Sequence, residues 1–493
     1  MASEDTPLFV SDAELAHEAV YKRFPTPRKR VIVALVSFQR DSALVRSPAV
    51  ACWDLISTGI VFASGTFIPS IPDIARDLNS TADVVSFAVS LSICGAGLGS
   101  MVFATYAGFC KFKCFTVVDP MYLYGLPLLC LGSIGVGLSK TIPQLMVFRF
   151  IQAFGTSGGF AVGGGVIGDI YKLTERGTCH GCFLRGYIQA SLVGNAISPV
   201  VGAKYSSWRN VQLGLFFVGL AVFLAMLIFL PETSHPGTLG REKNEAADSE
   251  NQSSRKFKWV WLNPFACLWL LRSPNLLFVT ITGATVLCTD YALLVPIAYT
   301  LGARYNISNE AIIGSLFLPL GLGNIIGAPV AGILSDRMVI KWRKLRGGEW
   351  VPEDRLRATL WPGATIVPLS VVFCGLITTY IPGPLGLTLN LISFFFNGIG
   401  VDLVLSPCSA YSVDIMHSRS AEMLAANTGL RSFLVSVAIS GVMPSLNYFG
   451  LVATYSFAGI LAWFGFILLW VTVRYGDKLR AWVDVGYSTI ETT

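Results

Sequence analysis

The chain has 493 residues, 53% hydrophobic and only 13% charged, with a formal net charge of +6. Soluble globular chains carry about 25% charged residues, so this one has too little polar surface to keep its bulk in water. Its mean hydropathy of +0.60 and its recurrent apolar runs of roughly 20 residues, each able to cross a hydrocarbon core of about 30 Å, exclude a soluble protein and predict a polytopic all-α membrane protein.

Residues 1–48 are mixed in charge and contain proline, which reads as a cytoplasmic N-terminal segment with no cleavable signal. Windows of about 19 residues then predict twelve transmembrane helices. Six of them, 49–71, 84–108, 121–139, 142–169, 181–203 and 208–230, form an N-terminal bundle over 49–231. A polar linker follows over 232–274, with the central run GREKNEAADSENQSSRKFK. Six more, 275–302, 310–334, 359–381, 385–411, 423–447 and 451–474, form a C-terminal bundle over 275–474, and 475–493 is a cytoplasmic tail. Two six-helix bundles about a linker suggest duplication. The 48 glycines suit helices that pack closely in lipid.

Basic residues set the orientation. Lys22, Arg23, Arg28, Lys29 and Arg30 precede the first span, and Lys111 and Lys113 follow the second. Lys172 and Arg176 follow the fourth; Arg255, Lys256 and Lys258 lie in the linker; Arg337, Lys341, Arg343, Lys344 and Arg346 follow the eighth. If the spans alternate, all lie on one side, and that side is expected to be cytoplasmic, with both termini. The sequons at Asn79 and Asn306 fall on the outer side as glycosylation candidates, while a third at Asn251 falls in the linker.

Ionisable residues inside spans are costly and tend to face a partner or a cavity. Arg149 lies in the fourth span, Asp290 in the seventh and Asp402 in the tenth. Buried pairing that fixes the bundle and a place on a transport route are both open for these three. A carboxylate in a low-dielectric interior is held nearer neutrality and can take and release a proton. Arg185 and Arg431 are nearer their helix starts and are expected to snorkel to the interface. Asp169 reads as a helix-end residue. Small residues and proline in SLVGNAISPVVGAKYSSW and LFLPLGLGNIIGAPVAG read as kinked, closely packed helices, or as surfaces that slide during rocking. Cys179-His180-Gly181-Cys182 has metal-like spacing but no second ligand pair, so a reduced loop is expected and no metal or cofactor.

These motifs together resemble the major facilitator superfamily, and within it the fungal twelve-span drug:H⁺ antiporter type. The likeness covers about residues 60–474. It is carried by RFIQAFG in the fourth span, GNAISPVVG in the fifth, GILSDRMVIKWRKLRGGEW after the eighth, and DIMHSRSAEMLAANTGLRS before the eleventh. The resemblance implies that Arg149 and Gln152 take part in proton coupling. It implies that Gly194, Ser198, Pro199 and Gly202 form the antiporter helix motif, with Ser198 replacing a usual glycine. It further implies that Gly332, Asp336 and Arg337 form a cytoplasmic gate.

Two stretches depart from that pattern. CKFKCFTVVD, at 110–119, stands where the first-half gate is expected to carry an arginine pair. Residues 39–58, with Arg40, Asp41, Arg46 and Asp54, separate two runs that look like parts of one first span. Real divergence, with Lys111 and Lys113 supplying the charge, and retained non-coding sequence are both open. Sequencing the transcript across both stretches separates them.

The expected function is proton-coupled efflux of small amphipathic compounds by alternating access, with uptake on the same fold as the alternative. Asp290 and Asp402 are expected to contact protons or a cationic substrate. The expected partners are a small-molecule substrate, protons and the lipid bilayer. The chain is expected to bind no nucleic acid and to act as a plasma-membrane monomer. An enzyme is not expected: the four histidines, His17, His180, His235 and His417, all lie away from span centres.

Overall fold

The computed structural model describes residues 67–107, 120–170, 208–229, 263–307, 309–416 and 420–483, and every regular element among them is helical. A short helix, α1 (Ile71–Asp77), is followed by α2 (Ala82–Ala107), α3 (Pro120–Leu138), α4 (Ile142–Ile170) and α5 (Trp208–Phe229). A 3-10 segment, Pro264–Arg272, leads into α6 (Pro274–Leu294), and a π turn at Ala298–Gly302 continues it beyond Pro296. Next come α7 (Leu318–Leu345), a 3-10 segment at Pro352–Thr359, α8 (Ile366–Tyr380), α9 (Gly383–Ile415), α10 (Ser420–Phe449) and α11 (Leu451–Trp482).

Among the described residues, seven helical runs are long and apolar enough to cross a membrane: Ala82–Tyr106, Pro274–Gly302, Ile312–Leu345, Pro352–Tyr380, Gly383–Ile415, Glu422–Phe449 and Leu451–Trp482. The molecule is thus a multi-pass α-helical membrane protein. Of the twelve expected spans, ten fall on described helices. The first reaches the described residues only at 67–71, and the fifth, 181–203, lies outside them. So do the departures at 39–58 and 110–119, the Cys179–Cys182 pair, and most of the linker.

Several helices run past the expected span ends. Hydropathy stops the eighth span at 334, yet α7 continues to Leu345, because the Lys and Arg residues that leave the apolar window are good helix formers. It stops where glycine permits a left-handed turn: Gly347 has φ +72°, and the Gly348 N–H reaches back to the Arg343 carbonyl at 2.9 Å. The expected tail at 475 likewise begins inside α11, which bends at Tyr475 and continues to Trp482.

Packing repeats between the halves. α2 packs on α4, and α3 on α4 and α5; in the second half α7 packs on α9, and α8 on α9 and α11. The halves meet most extensively where α2 runs along α10. A Cβ on Gly97 would lie 2.8 Å from the Ser432 Cβ, so the two backbones approach only because Gly97 has no side chain. Ser90 donates to the Ser436 carbonyl at 2.5 Å, and Asn447 donates to Asp83 at 3.1 Å.

Candidate functional site

Two polar clusters lie inside the helices. In the first half, α4 brings Arg149 and Gln152 onto one face by their three-residue spacing. Both are buried. Arg149 Nη1 donates to Gln152 Oε1 at 2.5 Å, and Gln152 Nε2 donates to Ser133 Oγ on α3 at 2.9 Å and to Gln212 Oε1 on α5 at 3.1 Å. The Arg149 guanidinium also stands 4.3 Å over the Phe67 ring. Tyr291 of α6, from the second half, is near enough to act on its charge. Gly132 makes this possible: a Cβ there would sit 2.5 Å from the Gln152 backbone.

In the second half, Asp290 on α6 and Asp402 on α9 lie near enough to interact electrostatically. Asp402 is 6% exposed. Asp290 Oδ1 and Asp402 Oδ2 are buried without a hydrogen-bond partner among the described residues. Asn397, five residues before Asp402 on α9, donates to Ser370 Oγ at 3.0 Å and lies 3.5 Å from Thr289 Oγ1. α7 approaches closely here, since a Cβ on Gly327 would come within 3.1 Å of the Asp402 Cβ. Neither aspartate enters an ion pair among the described residues. Pairing with Arg149 therefore does not account for the buried oxygens of these carboxylates.

Arg431 differs from expectation. It packs inward, its Cδ lying 3.3 Å from where a Gly283 Cβ would be, and its Nε is buried. Position along a helix sets depth, but the face decides whether a long side chain turns to the interface. Asp169 lies in α4, which is described as far as Ile170.

At the end carrying the basic loops, the expected gate is only partly assembled. Asp336 Oδ1 accepts from Arg355 Nη1 at 3.0 Å, and Arg355 Nε donates to Asp414 Oδ2 at 2.7 Å, so one guanidinium joins α7 to α9. Arg337 is exposed and forms no hydrogen bond or ion pair among the described residues. Gly332 faces open space. The carboxylate was legible and the arginine was not, because the partner arrives from the 3-10 segment 19 residues later. That segment also carries Asp354, which pairs with Arg346 and with Arg357 at 3.0 Å, and Glu353, which pairs with Arg480 of α11 and accepts from the Tyr411 hydroxyl at 3.1 Å. The hydrogen bonds to Asp354 raise the Arg346 guanidinium above its usual range, against a smaller opposing effect of burial. The dense charge of PEDRLR was the available signal, though a hydropathy window reads it only as a loop.

Gly194, Ser198, Pro199 and Gly202 lie outside the described residues. Asn79 and Asn306 are exposed, with φ of +47° and +54°, and each closes a helical turn in the left-handed conformation that asparagine tolerates. No group of three or more His, Cys, Asp or Glu able to hold a metal is found among the described residues.

Residues 55–439 match the model of the Major Facilitator Superfamily. The chain belongs to that superfamily. It is similar to the efflux pump radE of Floropilus chiversii, at 27% identity over 88% of this chain and 80% of that protein. It is similar to the MFS-type transporter mpsC of Macrophomina phaseolina, at 27% identity over 97% and 96% of the two chains. The MFS transporter OpS2 of Beauveria bassiana (strain ARSEF 2860) is 26% identical over 67% of this chain and 99% of its own. The superfamily member described here is a secondary transporter rather than an enzyme, embedded in lipid and acting on a small-molecule substrate.

Proposed function

We propose that this transporter is an H⁺-coupled exporter of small amphipathic compounds, of the twelve-span, two-bundle drug:H⁺ antiporter type. The observation that carries the reading is the pair Asp290 and Asp402, acids in the bundle interior with an unpartnered buried oxygen each. A buried carboxylate without a donor or counter-charge is costly, and binding a proton removes its charge. Arg149, positioned by Gln152 on the opposite half and close to Tyr291, tunes the charge of the shared interior. Substrate binds near the midplane between the halves, and alternating access exchanges it for protons.

The Asp336–Arg355–Asp414 bridge acts as the gate at the end carrying the basic loops, which is the cytoplasmic end and holds both termini. The helix motif at Gly194, Ser198, Pro199 and Gly202 gives the halves a sliding surface. Export is favoured over uptake by that motif and by the similarity to a protein named as an efflux pump. The site of action is the plasma membrane, with glycans at Asn79 and Asn306 outside, and a single copy suffices.

Rhodamine 6G in membrane vesicles tests the coupling. An imposed pH gradient should drive its movement in the export direction, and Asp402→Asn should abolish that movement while the protein stays in the membrane at normal level. Gradient-driven efflux at wild-type rate in the variant would remove Asp402 from the mechanism, and flux in the opposite direction would make the protein an uptake symporter. Comparing toxic-compound tolerance and secreted metabolites with and without the gene identifies the natural substrate.

A further inference from the structure

We infer that Ser133 and Gln212 are positioning residues, which fix the Gln152 carboxamide in the one orientation that holds Arg149 in place. The inference rests on the coupling role proposed for Arg149 and adds how the neighbouring helices control it.

A carboxamide buried among polar groups can face either way, and its oxygen and nitrogen have opposite hydrogen-bonding characters. Here the choice is forced from both sides. Arg149 can only donate, so the group facing it must be Gln152 Oε1, as observed at 2.5 Å. The NH₂ end then needs acceptors. Ser133 is committed as one: its hydroxyl hydrogen goes to the Leu129 carbonyl at 2.9 Å, leaving its oxygen to accept from Gln152 Nε2 at 2.9 Å. Gln212 Oε1 is the second acceptor at 3.1 Å. The bonds run in one direction, from Arg149 to Gln152 and on to two acceptors on two other helices. Reversing the Gln152 amide would set an NH₂ group against the guanidinium and carbonyl oxygen against two lone pairs.

Gln212 is itself anchored. It lies four residues, about one turn, after Trp208, so the two share a face of α5. Trp208 Nε1 donates to Asp77 Oδ2, at the end of α1, at 3.0 Å. Arg209 donates to the same oxygen at 2.5 Å and to the Ser139 carbonyl, just beyond α3, at 3.3 Å. α5 is therefore tied to the end of α1 and to the end of α3 about one turn from the residue that holds Gln152. A displacement of α1 against α5 at that end moves Gln212, and through Gln152 it reaches Arg149. This links a contact near the helix ends to the charge in the interior without any ion pair between them.

The test uses the full-length purified protein in lipid nanodiscs, with structures of the wild type, Gln212→Leu, Gln212→Glu and Ser133→Ala. Gln212→Leu removes the acceptor and keeps the bulk, and it should lengthen the distance from Arg149 to Gln152 Oε1 by more than about 1 Å, out of hydrogen-bonding range, while α3, α4 and α5 keep their backbones. Gln212→Glu retains an acceptor and should restore the contact. A purely structural role for Gln212 would treat the two variants alike. In rhodamine 6G efflux, Gln212→Leu should lower turnover roughly fivefold, and the Gln152→Leu, Gln212→Leu double variant should be no slower than Gln152→Leu alone, because groups acting through one partner are not additive. An unmoved Arg149 in Gln212→Leu, or additive losses in the double variant, would overturn the inference. Should Gln212→Leu fail to fold, Ser133→Ala decides alone by the same displacement of Arg149. Displacement of Arg149 with unchanged efflux would uphold the positioning and overturn the coupling role it rests on.

Discussion

The interiors of the two halves handle buried polarity in opposite ways. In the first half a single charge, Arg149, is drawn into a chain of matched donors and acceptors that spans three helices. The second half gathers its paired charges at one end, around Glu353, Asp354 and Arg355, and leaves Asp290 and Asp402 with unmet acceptors inside. A dense hydrogen-bond network favours one arrangement, whereas an unmet acceptor gains when something binds to it. On the proposed function, the first interior positions its charge and the second changes occupancy.

The largest effect on stability is expected at the paired end of the second half. Arg480→Leu removes the cation facing Glu353, whose side chain is 4% exposed and whose second oxygen already lacks a partner. Leaving that carboxylate buried and uncompensated should cost on the order of 3 kcal/mol, read as a lowered midpoint of denaturation in detergent micelles. An unchanged midpoint would mean that Tyr411 alone is enough for Glu353.

Gln152→Leu is the matching cut in the first half. It leaves Arg149 without an acceptor it now uses and Gln212 Oε1 without its donor. The expected loss is about 2 kcal/mol, the usual scale for orphaned buried groups. A loss this size at Gln152 paired with none at Asp402 is what the contrast between the halves requires.

Asp402→Asn should indeed go the other way. The substitution removes an unpaired buried carboxylate and keeps its shape, so stability should hold or rise by about 1 kcal/mol even as gradient-driven efflux is lost. If the variant is instead destabilised as much as Gln152→Leu, Asp402 is a structural residue, and the two interiors do not differ in kind.

Much of this arrangement was readable from the residues, and the unread part has a common cause. Apolar runs placed helices, and the rare charges Arg149, Asp290 and Asp402 announced themselves because each stands alone in such a run. Gln212 and Ser133 did not stand out: a neutral amide or hydroxyl in an apolar helix is common, and only the crossing of α3, α4 and α5 gives it a partner. Arg355 was missed for a related reason. Its neighbour Asp336 has an arginine directly after it in sequence, yet successive residues on a helix point about 100° apart, so Arg337 could not close on it as well as a side chain arriving from another segment.

That last point gives the smallest and most discriminating expectation. Arg337 is exposed and forms no hydrogen bond or ion pair among the described residues, so Arg337→Ala should change stability by less than about 0.5 kcal/mol, as surface substitutions usually do. Asp336→Asn weakens one arm of the bridge through Arg355, and with the Asp336 side chain 47% exposed the loss should be only about 1 kcal/mol. Arg355→Leu, which removes both arms of the bridge, should exceed either. Measured as denaturation midpoints in one detergent, the order Arg355→Leu, Asp336→Asn, Arg337→Ala assigns the bridge to Arg355. A larger effect at Arg337 than at Arg355 would return the gate to the adjacent pair and place the second half's binding charges on α7 rather than on the PEDRLR segment.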